Sequence, residues 1–454
     1  MTAVKDSAAY PAHRLAMPIY HPELLAMPVP RYTSYPTAAE FHDGIGAAEQ
    51  AEALAAVALG APVSLYVHIP YCHEICWYCG CTTGATGRPE RLTHYLDALA
   101  REIDTVAERM WGQVVSIHFG GGSPNALPPR DFVALSERLQ ARFDCAATLE
   151  IAAELDPRTL DRAYAKALAE AGVTRVSLGV QTFADPVQRA IHRIQPYAMV
   201  AAAVADLRAA GIPAINFDLM YGLPGQTARD IGETLAAAID LAPDRVAMFG
   251  YAHMPRLLPR QRMIAEVNLP GTAARFAQSA LAAGLLADAD YIAIGFDHFA
   301  RPHDSLAIAA ALGRLRRNFQ GFTDEPADAI VGLGASAISQ YDGLLVQNEK
   351  HVGRYRLRMA DGGLAGARGV RRSEADRRRG AVIERLLCDD AADVPAGDLA
   401  EALPELQPLI ARGLVEIGDS RIAIPPEGRP YARLVAAAFD VYRPSSAARL
   451  SRAG

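Results

Sequence analysis

From Pro62 onwards, short runs rich in β-branched and aromatic residues alternate with longer stretches in which apolar positions return every three or four residues. The short runs are 64–69 (SLYVHI), 114–119 (VVSIHF), 148–154 (TLEIAAE), 174–180 (TRVSLGV), 214–220 (AINFDLM) and 245–251 (RVAMFGY), and each predicts a strand. Between the first two, Leu92, Leu96, Leu99, Ile103 and Val106 recur at helical spacing and predict a helix over 90–109. Strand and helix in alternation build a parallel sheet with helices outside it. Six such units predict an α/β fold, a partial (β/α)6 barrel whose functional groups belong at the C-terminal ends of its strands.

The two ends of the chain follow other patterns. Pro11, Pro18, Pro22, Pro28, Pro30 and Pro36 disfavour regular helix in the first 40 residues and predict an extended, wrapping arm. Residues 361–380 combine Gly362, Gly363, Gly366 and Gly369 with the basic run Arg371-Arg372 and Arg377 to Arg379, which reads as a linker. Helical patterns at 381–388 and 397–412 then precede short runs at 414–417 and 421–424, an order that resembles a winged helix. The expected division is therefore 1–60 for the N-terminal arm and helix, 61–360 for the barrel and its extension, and 361–454 for a mostly helical C-terminal domain.

With 51% apolar and 21% charged residues among 454, the chain is not disordered. A net charge of -6 argues against general affinity for nucleic acid or an anionic membrane, so the basic run is read as a solvated linker or helix face. No apolar run approaches the roughly 18 residues that span a bilayer, and the N-terminus lacks a signal-peptide pattern. A cytoplasmic protein without membrane insertion is expected. Its six cysteines are too few for a disulfide scaffold of this size.

Four of those cysteines fall within ten residues, in the order Cys72-His-Glu-Ile-Cys76-Trp-Tyr-Cys79-Gly-Cys81. Three thiolates spaced C-x3-C-x2-C can hold three irons of a cubane and leave the fourth open to an external ligand. Zinc is the competing reading, with Cys81 as fourth thiolate, but structural zinc sites usually take paired ligands from two separated segments. Gly120-Gly121-Gly122-Ser123-Pro124 follows the second strand, where glycines let the backbone approach a ligand. Gly332-Leu-Gly-Ala-Ser-Ala337 fits a loose dinucleotide fingerprint, but it follows a short strand late in the chain with no βαβ unit after it.

The cysteine spacing, with Tyr78 before the last of the three, resembles the radical S-adenosylmethionine superfamily. The resemblance narrows to the oxygen-independent coproporphyrinogen III oxidase family through Pro30-Arg-Tyr-Thr-Ser-Tyr-Pro36, Leu65-Tyr-Val-His-Ile-Pro70, Cys79-Gly-Cys81, Glu154-Leu-Asp-Pro157, Gly179-Val-Gln-Thr-Phe183, Asp218-Leu-Met-Tyr-Gly-Leu-Pro224, Asp297-His-Phe-Ala-Arg-Pro302 and Asn318-Phe-Gln-Gly321. It implies a 4Fe-4S cluster on Cys72, Cys76 and Cys79, catalytic roles for Cys81 and Tyr66, and two molecules of S-adenosylmethionine. The first would meet Tyr66, Gly121, Glu154 and Ile338, and the second Tyr78, Gly122, Ser123, Gln181, Arg193, Asp218 and Ala252. Ser123 stands where the family usually has threonine. The implied activity is decarboxylation of coproporphyrinogen III by a monomer, with a flavodoxin or ferredoxin system as electron donor and an unknown electron acceptor. The related haem chaperone typically lacks a counterpart of Cys81 and the arm motif containing Arg31 to Pro36; both are present here. Because the substrate carries four carboxylates and the chain is acidic, Arg31, Arg301 and Arg317 are expected to bind it locally.

Overall fold

The computed structural model describes residues 18–443; Pro11, counted above as part of the arm, lies outside them. All six expected strands form. They are β1 (Pro62–Ile69), β2 (Gln113–Gly121), β3 (Cys145–Leu155), β4 (Arg175–Gln181), β5 (Ala214–Tyr221) and β6 (Arg245–Gly250). Each pairs in parallel with the next. The helices between them include α1 (Pro89–Ala107), in which Leu99, Ile103 and Val106 are fully buried against the sheet, so the predicted apolar stripe is its core face.

The sheet extends beyond the six. After α2 (Thr272–Asp288) come β7 (Ile292–Ile294) and β8 (His298–Ala300), and β8 lies antiparallel to β6. On the other side β9 (Ala329–Leu333) runs parallel to β1, followed by antiparallel β10 (Ile338–Tyr341), β11 (Leu344–Asn348) and β12 (Gly366–Arg371). Twelve strands result, in the order β12-β11-β10-β9-β1-β2-β3-β4-β5-β6-β8-β7. The open parallel middle is the partial barrel.

Most of 361–380, read above as a linker, is regular secondary structure instead. Gly366–Arg371 is the edge strand β12, and helix α3 (Glu374–Cys388) begins two residues after Arg372. Ser373 caps α3 and Asp376 returns the bond to the Ser373 backbone, a reciprocal capping box that fixes the helix start. The basic run meets acids of the next helix, Ala396–Ile410: Arg378 reaches Asp398 and Arg379 reaches Glu401, each at 2.7 Å. That helix and the strands Ala391–Asp393, Glu416–Ile417 and Arg421–Ala423 complete the winged-helix-like unit.

The arm does not stand apart. Leu24, Leu25, Val29, Tyr32 and Tyr35 are buried in one core with Val382, Ile383, Leu386 and Phe439 of the C-terminal part. Among the described residues, no helix is long and apolar enough to cross a membrane.

Candidate active site

β1 ends at Ile69, and the chain turns through Pro70 into the cysteine loop. Cys72, Cys76, Cys79 and Cys81 all line one cavity of about 900 Å³ at the C-terminal ends of the strands. Cys76 is buried, Cys72 and Cys79 are half-buried, and Cys81 opens to the cavity. Each of the first three sulfurs has a polar neighbour. Thr83 Oγ1 lies 3.4 Å and Ser123 Oγ 3.7 Å from Cys72 Sγ. Arg193 Nη1 and Arg158 Nη2 donate to Cys76 Sγ at 3.3 and 3.6 Å, and the Cys81 backbone N–H donates to Cys79 Sγ at 3.3 Å. Hydrogen bonding from Cys81, helped by the Arg260 and Arg193 charges, lowers the Cys79 thiol to about 6 despite its burial.

This donor set fits the implied cluster. Among the described residues, no three His, Cys, Asp or Glu side chains are gathered as a single ion requires. A tetrahedral zinc cage needs such a common point, whereas a cubane assigns its cysteines to different irons. Cys72, Cys76 and Cys79 would hold it, with donors already aimed at their sulfurs.

Opposite the cysteines, the glycine run at the end of β2 meets Glu154 of β3. A side chain at Gly120 would stand 2.9 Å from the Glu154 carboxyl, and one at Gly121, where φ is +109°, 2.6 Å from the His68 ring. Only glycine allows this approach. Glu154 Oε1 accepts a hydrogen bond from His118 Nε2 at 3.0 Å, and Gly121 N–H reaches Oε2 at 3.4 Å. Burial raises the Glu154 carboxyl, but His118, the Gly121 N–H and the His68 charge together outweigh it and the net direction is down. Glu154 is thus a held carboxylate facing the cavity, suited to an ammonium or to ribose hydroxyls.

Arg193 is 7% and Asp156 6% exposed, so this ion pair is interior rather than superficial. Arg193 reaches both Asp156 oxygens at 3.3 Å and donates to the Gly179 carbonyl. Arg158 grips the same carboxylate from outside at 2.7 Å. Gln181 adopts a left-handed φ of 63° at the end of β4 and faces the cavity, a conformation that costs energy for a side chain with a Cβ. Asp218 accepts from Ser177 Oγ and Asn216 Nδ2 at 2.9 Å each. Burial, followed by the Glu154 charge, raises it to about 6.

The cavity therefore gathers Tyr78, Gly121, Gly122, Ser123, Glu154, Gln181, Arg193, Asp218, Ala252 and Arg31 with the four cysteines. Tyr66 stands behind this surface, its ring stacked on His118 and its hydroxyl 3.2 Å from His68 Nδ1. Ile338 opens β10, one strand beyond β9.

Two of the three expected substrate arginines stand outside the lining of this cavity. Arg301 follows β8, which runs antiparallel to β6, so it emerges at the far end of the strands. There it covers the Tyr291 ring at 4.0 Å and donates to the Ala289 carbonyl. Arg317 is sandwiched between the Phe296 and Phe322 rings at 4.8 and 4.4 Å, outside the cavity lining, with Nη2 on the Arg31 carbonyl at 3.2 Å.

Sequence reasoning assigned no role to His118, Asp156, Arg158, Arg260 or Lys350. The first three hold Glu154 and Arg193, while the last two line the cavity. The Glu154-Leu-Asp156-Pro-Arg158 string was the available signal, because two acids and an arginine at a strand end must be partnered or solvated. Lys350 is one of only three lysines in the chain.

Comparison with known proteins places this geometry. Residues 66–238 match the family model described as the radical SAM superfamily. The chain is 44% identical over 427 residues to the oxygen-independent coproporphyrinogen III oxidase of Bradyrhizobium diazoefficiens, covering 91% of this chain and 94% of that protein. It is 37% identical over 424 residues to the enzyme of the same description from Escherichia coli, covering 91% and 93%. The solved structure of the Escherichia coli coproporphyrinogen III oxidase, described as a radical SAM enzyme, superposes with a TM-score of 0.89 at 35% identity, over 94% of this chain and 100% of that one.

Proposed function

The chain belongs to the oxygen-independent coproporphyrinogen III oxidases of the radical SAM superfamily, and from that membership we propose how its cavity turns two propionates of coproporphyrinogen III into the vinyl groups of protoporphyrinogen IX. The observation that carries the reading is the convergence of Cys72, Cys76 and Cys79 with Gly121, Glu154 and Arg193 on one cavity. When bound there, the 4Fe-4S cluster and S-adenosylmethionine supply an electron and a 5'-deoxyadenosyl radical able to remove a hydrogen atom from the β-carbon of a propionate. Loss of carbon dioxide from that substrate radical, with one electron passed to an external electron acceptor, leaves the vinyl group.

The residues of this chain bind and orient. Cys72, Cys76 and Cys79 are the cluster ligands, and Cys81 faces the same space without being needed as a ligand. Gly121 and Glu154 offer a backbone face and a carboxylate to the methionine ammonium or the ribose of one S-adenosylmethionine. Arg193 and Asp218, with Tyr78, Gln181 and Ala252, form the ground for a second. Holding the reacting carbon close to the radical and keeping water out is the main contribution a protein makes to such chemistry. Arm residues 30–33 and 37–39 roof the cavity for that purpose. We read the enzyme as a cytoplasmic monomer supplied by a flavodoxin or ferredoxin system.

The test is anaerobic. Cluster-replete protein receives coproporphyrinogen III, S-adenosylmethionine and a reductant, and carbon dioxide, 5'-deoxyadenosine and protoporphyrinogen IX are followed. Release of carbon dioxide with vinyl product supports the reading; cluster-replete protein that releases none refutes it.

A further inference from the structure

Strand β11 ends at Asn348, and two residues further on Lys350 lines the cluster cavity. The backbone that carries it is fixed by three hydrogen bonds. Asn348 N–H donates to the Ala337 carbonyl and Glu349 N–H to the Ala365 carbonyl, both at 2.9 Å, and Ser336 N–H donates to the Glu349 carbonyl at 3.0 Å. The Lys350 side chain is exposed and, among the described residues, makes no hydrogen bond or ion pair.

The acids nearby serve other groups. Glu349 accepts from Arg354 Nη2 at 3.2 Å and from the His351 N–H at 2.9 Å. In the cavity wall, Glu74 pairs with Arg158 at 2.9 Å, Glu154 accepts from His118, and Asp218 accepts from Ser177 and Asn216. A second cavity, of about 450 Å³, is balanced differently, since Arg275 and Arg433 stand in its wall with Glu266 and Asp297. Burial and then the Arg368 charge lower the Lys350 ammonium, and no carboxylate opposes them.

Another part of the cluster cavity is apolar. Met254, Leu257 and Leu258, from the loop after β6, line it, and Leu257 is 56% exposed. That loop is seated on the cysteine segment: Gln261 Nε2 donates to the Tyr78 carbonyl at 2.8 Å, and Arg260 Nη2 to the Thr83 carbonyl at 2.9 Å. A ligand filling this space must present an apolar body to one part of the wall and an anion to another. S-adenosylmethionine carries an ammonium and a sulfonium against one carboxylate, so its net charge is positive and an unpaired ammonium disfavours it. A tetrapyrrole with four propionates on an apolar ring meets both conditions.

We propose that Lys350 holds a propionate carboxylate of the tetrapyrrole and that Leu257 packs against its macrocycle. The proposal rests on the function given above and supplies a local cation in the place expected of Arg301 and Arg317. The carboxylate held is one that is not being lost, because an ammonium bound to the departing group would stabilise the ground state and oppose release of carbon dioxide. Lys350 therefore acts on substrate binding and presentation.

The experiment measures binding of coproporphyrin III, the air-stable aromatic relative of the substrate, to cluster-replete protein by fluorescence quenching, with its uncharged tetra-amide as control. Lys350→Gln should weaken the tetra-acid roughly five- to tenfold, between the worth of an exposed ion pair and that of a charge-assisted bond, and leave the tetra-amide unchanged. Leu257→Ala should weaken both porphyrins alike. Lys350→Arg keeps the charge and should recover most of the loss. In turnover the Lys350→Gln effect should fall on KM for coproporphyrinogen III, with kcat and S-adenosylmethionine affinity at their native values.

An unchanged KM in Lys350→Gln would overturn the role of Lys350, and so would a fall in kcat alone or a loss confined to S-adenosylmethionine. Equal weakening of tetra-acid and tetra-amide by Lys350→Gln would overturn it as well, since a lost charge cannot act on the neutral ring. Native affinity for both porphyrins in Leu257→Ala would overturn the macrocycle contact. If the planar porphyrin does not bind native protein, KM for coproporphyrinogen III decides both points. In each case carbon dioxide release by native enzyme leaves the function standing; absence of that release removes the function first.

Discussion

Cys79 and Cys81 are two residues apart, yet their surroundings assign them different work. Cys79 is drawn toward the thiolate by Cys81 and two arginines, whereas hydrogen bonding and charge from Cys79 push the Cys81 thiol well up. Alanine at Cys72, Cys76 or Cys79 should therefore abolish iron uptake on anaerobic reconstitution, read by iron analysis and visible absorbance. Cys81→Ser should keep the cluster and lose product; full iron retention in Cys76→Ala would sink the assignment. Glu154→Gln should weaken S-adenosylmethionine binding by about 1.5–3 kcal/mol, ten- to a hundredfold. Arg193 carries a second cost, because its removal takes two hydrogen bonds from the buried Asp156 and leaves Arg158 as its guanidinium partner. Urea unfolding of Arg193→Ala should show a loss of roughly 1.5–3 kcal/mol, the size of a lost charge-assisted hydrogen bond. The thiolate spacing and Glu154 were legible in the sequence because neighbours within a few residues define them. The partners of Glu154 and Arg193 were not, since His118 and Asp156 meet them only when adjacent strands pair.

Among the elements, Glu102 ties three together. It is fully buried on α1 and accepts hydrogen bonds from Tyr355 Oη and Gly334 N–H at 2.6 Å and from Asn348 Nδ2 at 2.7 Å. Those bonds pin the turn between β9 and β10, which leads into Ile338. Burial raises the Glu102 carboxyl to about 7 even though all three bonds oppose it. An unfolded chain releases this proton near the ordinary carboxylate value, so from there to about 7 it binds fewer protons than the folded one. Stability must then fall as pH rises through that window, by on the order of 3 kcal/mol at most. Glu102→Gln should flatten the slope, checked by urea midpoints at pH 5 and 8; a slope as steep as in native protein would exclude Glu102 as its source. The six parallel strands were readable because each is a compact β-branched or aromatic run. Strand β12 was not, because Gly366 and Gly369 break any apolar alternation and its pairing with β11 lies in the fold alone. Arg275 and Arg433 were silent for the same reason: they are 158 positions apart and come to line one cavity only in the fold.

At the scale of the whole molecule, the arm joins the two cores. Its segment 30–33 lines the cluster cavity, and buried anchors stand on either side of that segment, Val29 at 0% exposure and Tyr35 at 4%. Tyr32 adds a hydrogen bond from its hydroxyl to Asp440 at 3.0 Å. Both anchors pack in the C-terminal core, which is separate from the barrel core built around Leu65, Val114 and Phe217. A fully buried large apolar side chain contributes roughly 1.5–3 kcal/mol, so these anchors hold the roof closed against most thermal opening. Replacing both, as Val29→Ala with Tyr35→Ala, removes about 2–5 kcal/mol at the tyrosine alone and leaves the barrel core untouched. The roof should then open. Limited trypsin digestion should cut within the arm, at Arg31, in the variant before native protein is cut there. More 5'-deoxyadenosine should form per carbon dioxide released, because the reductant and hydrogen donors of the buffer reach and quench a radical that no longer has its substrate pressed against it. Arm cleavage with an unchanged ratio of 5'-deoxyadenosine to carbon dioxide would show that the arm braces the C-terminal core and plays no part in sealing the reaction.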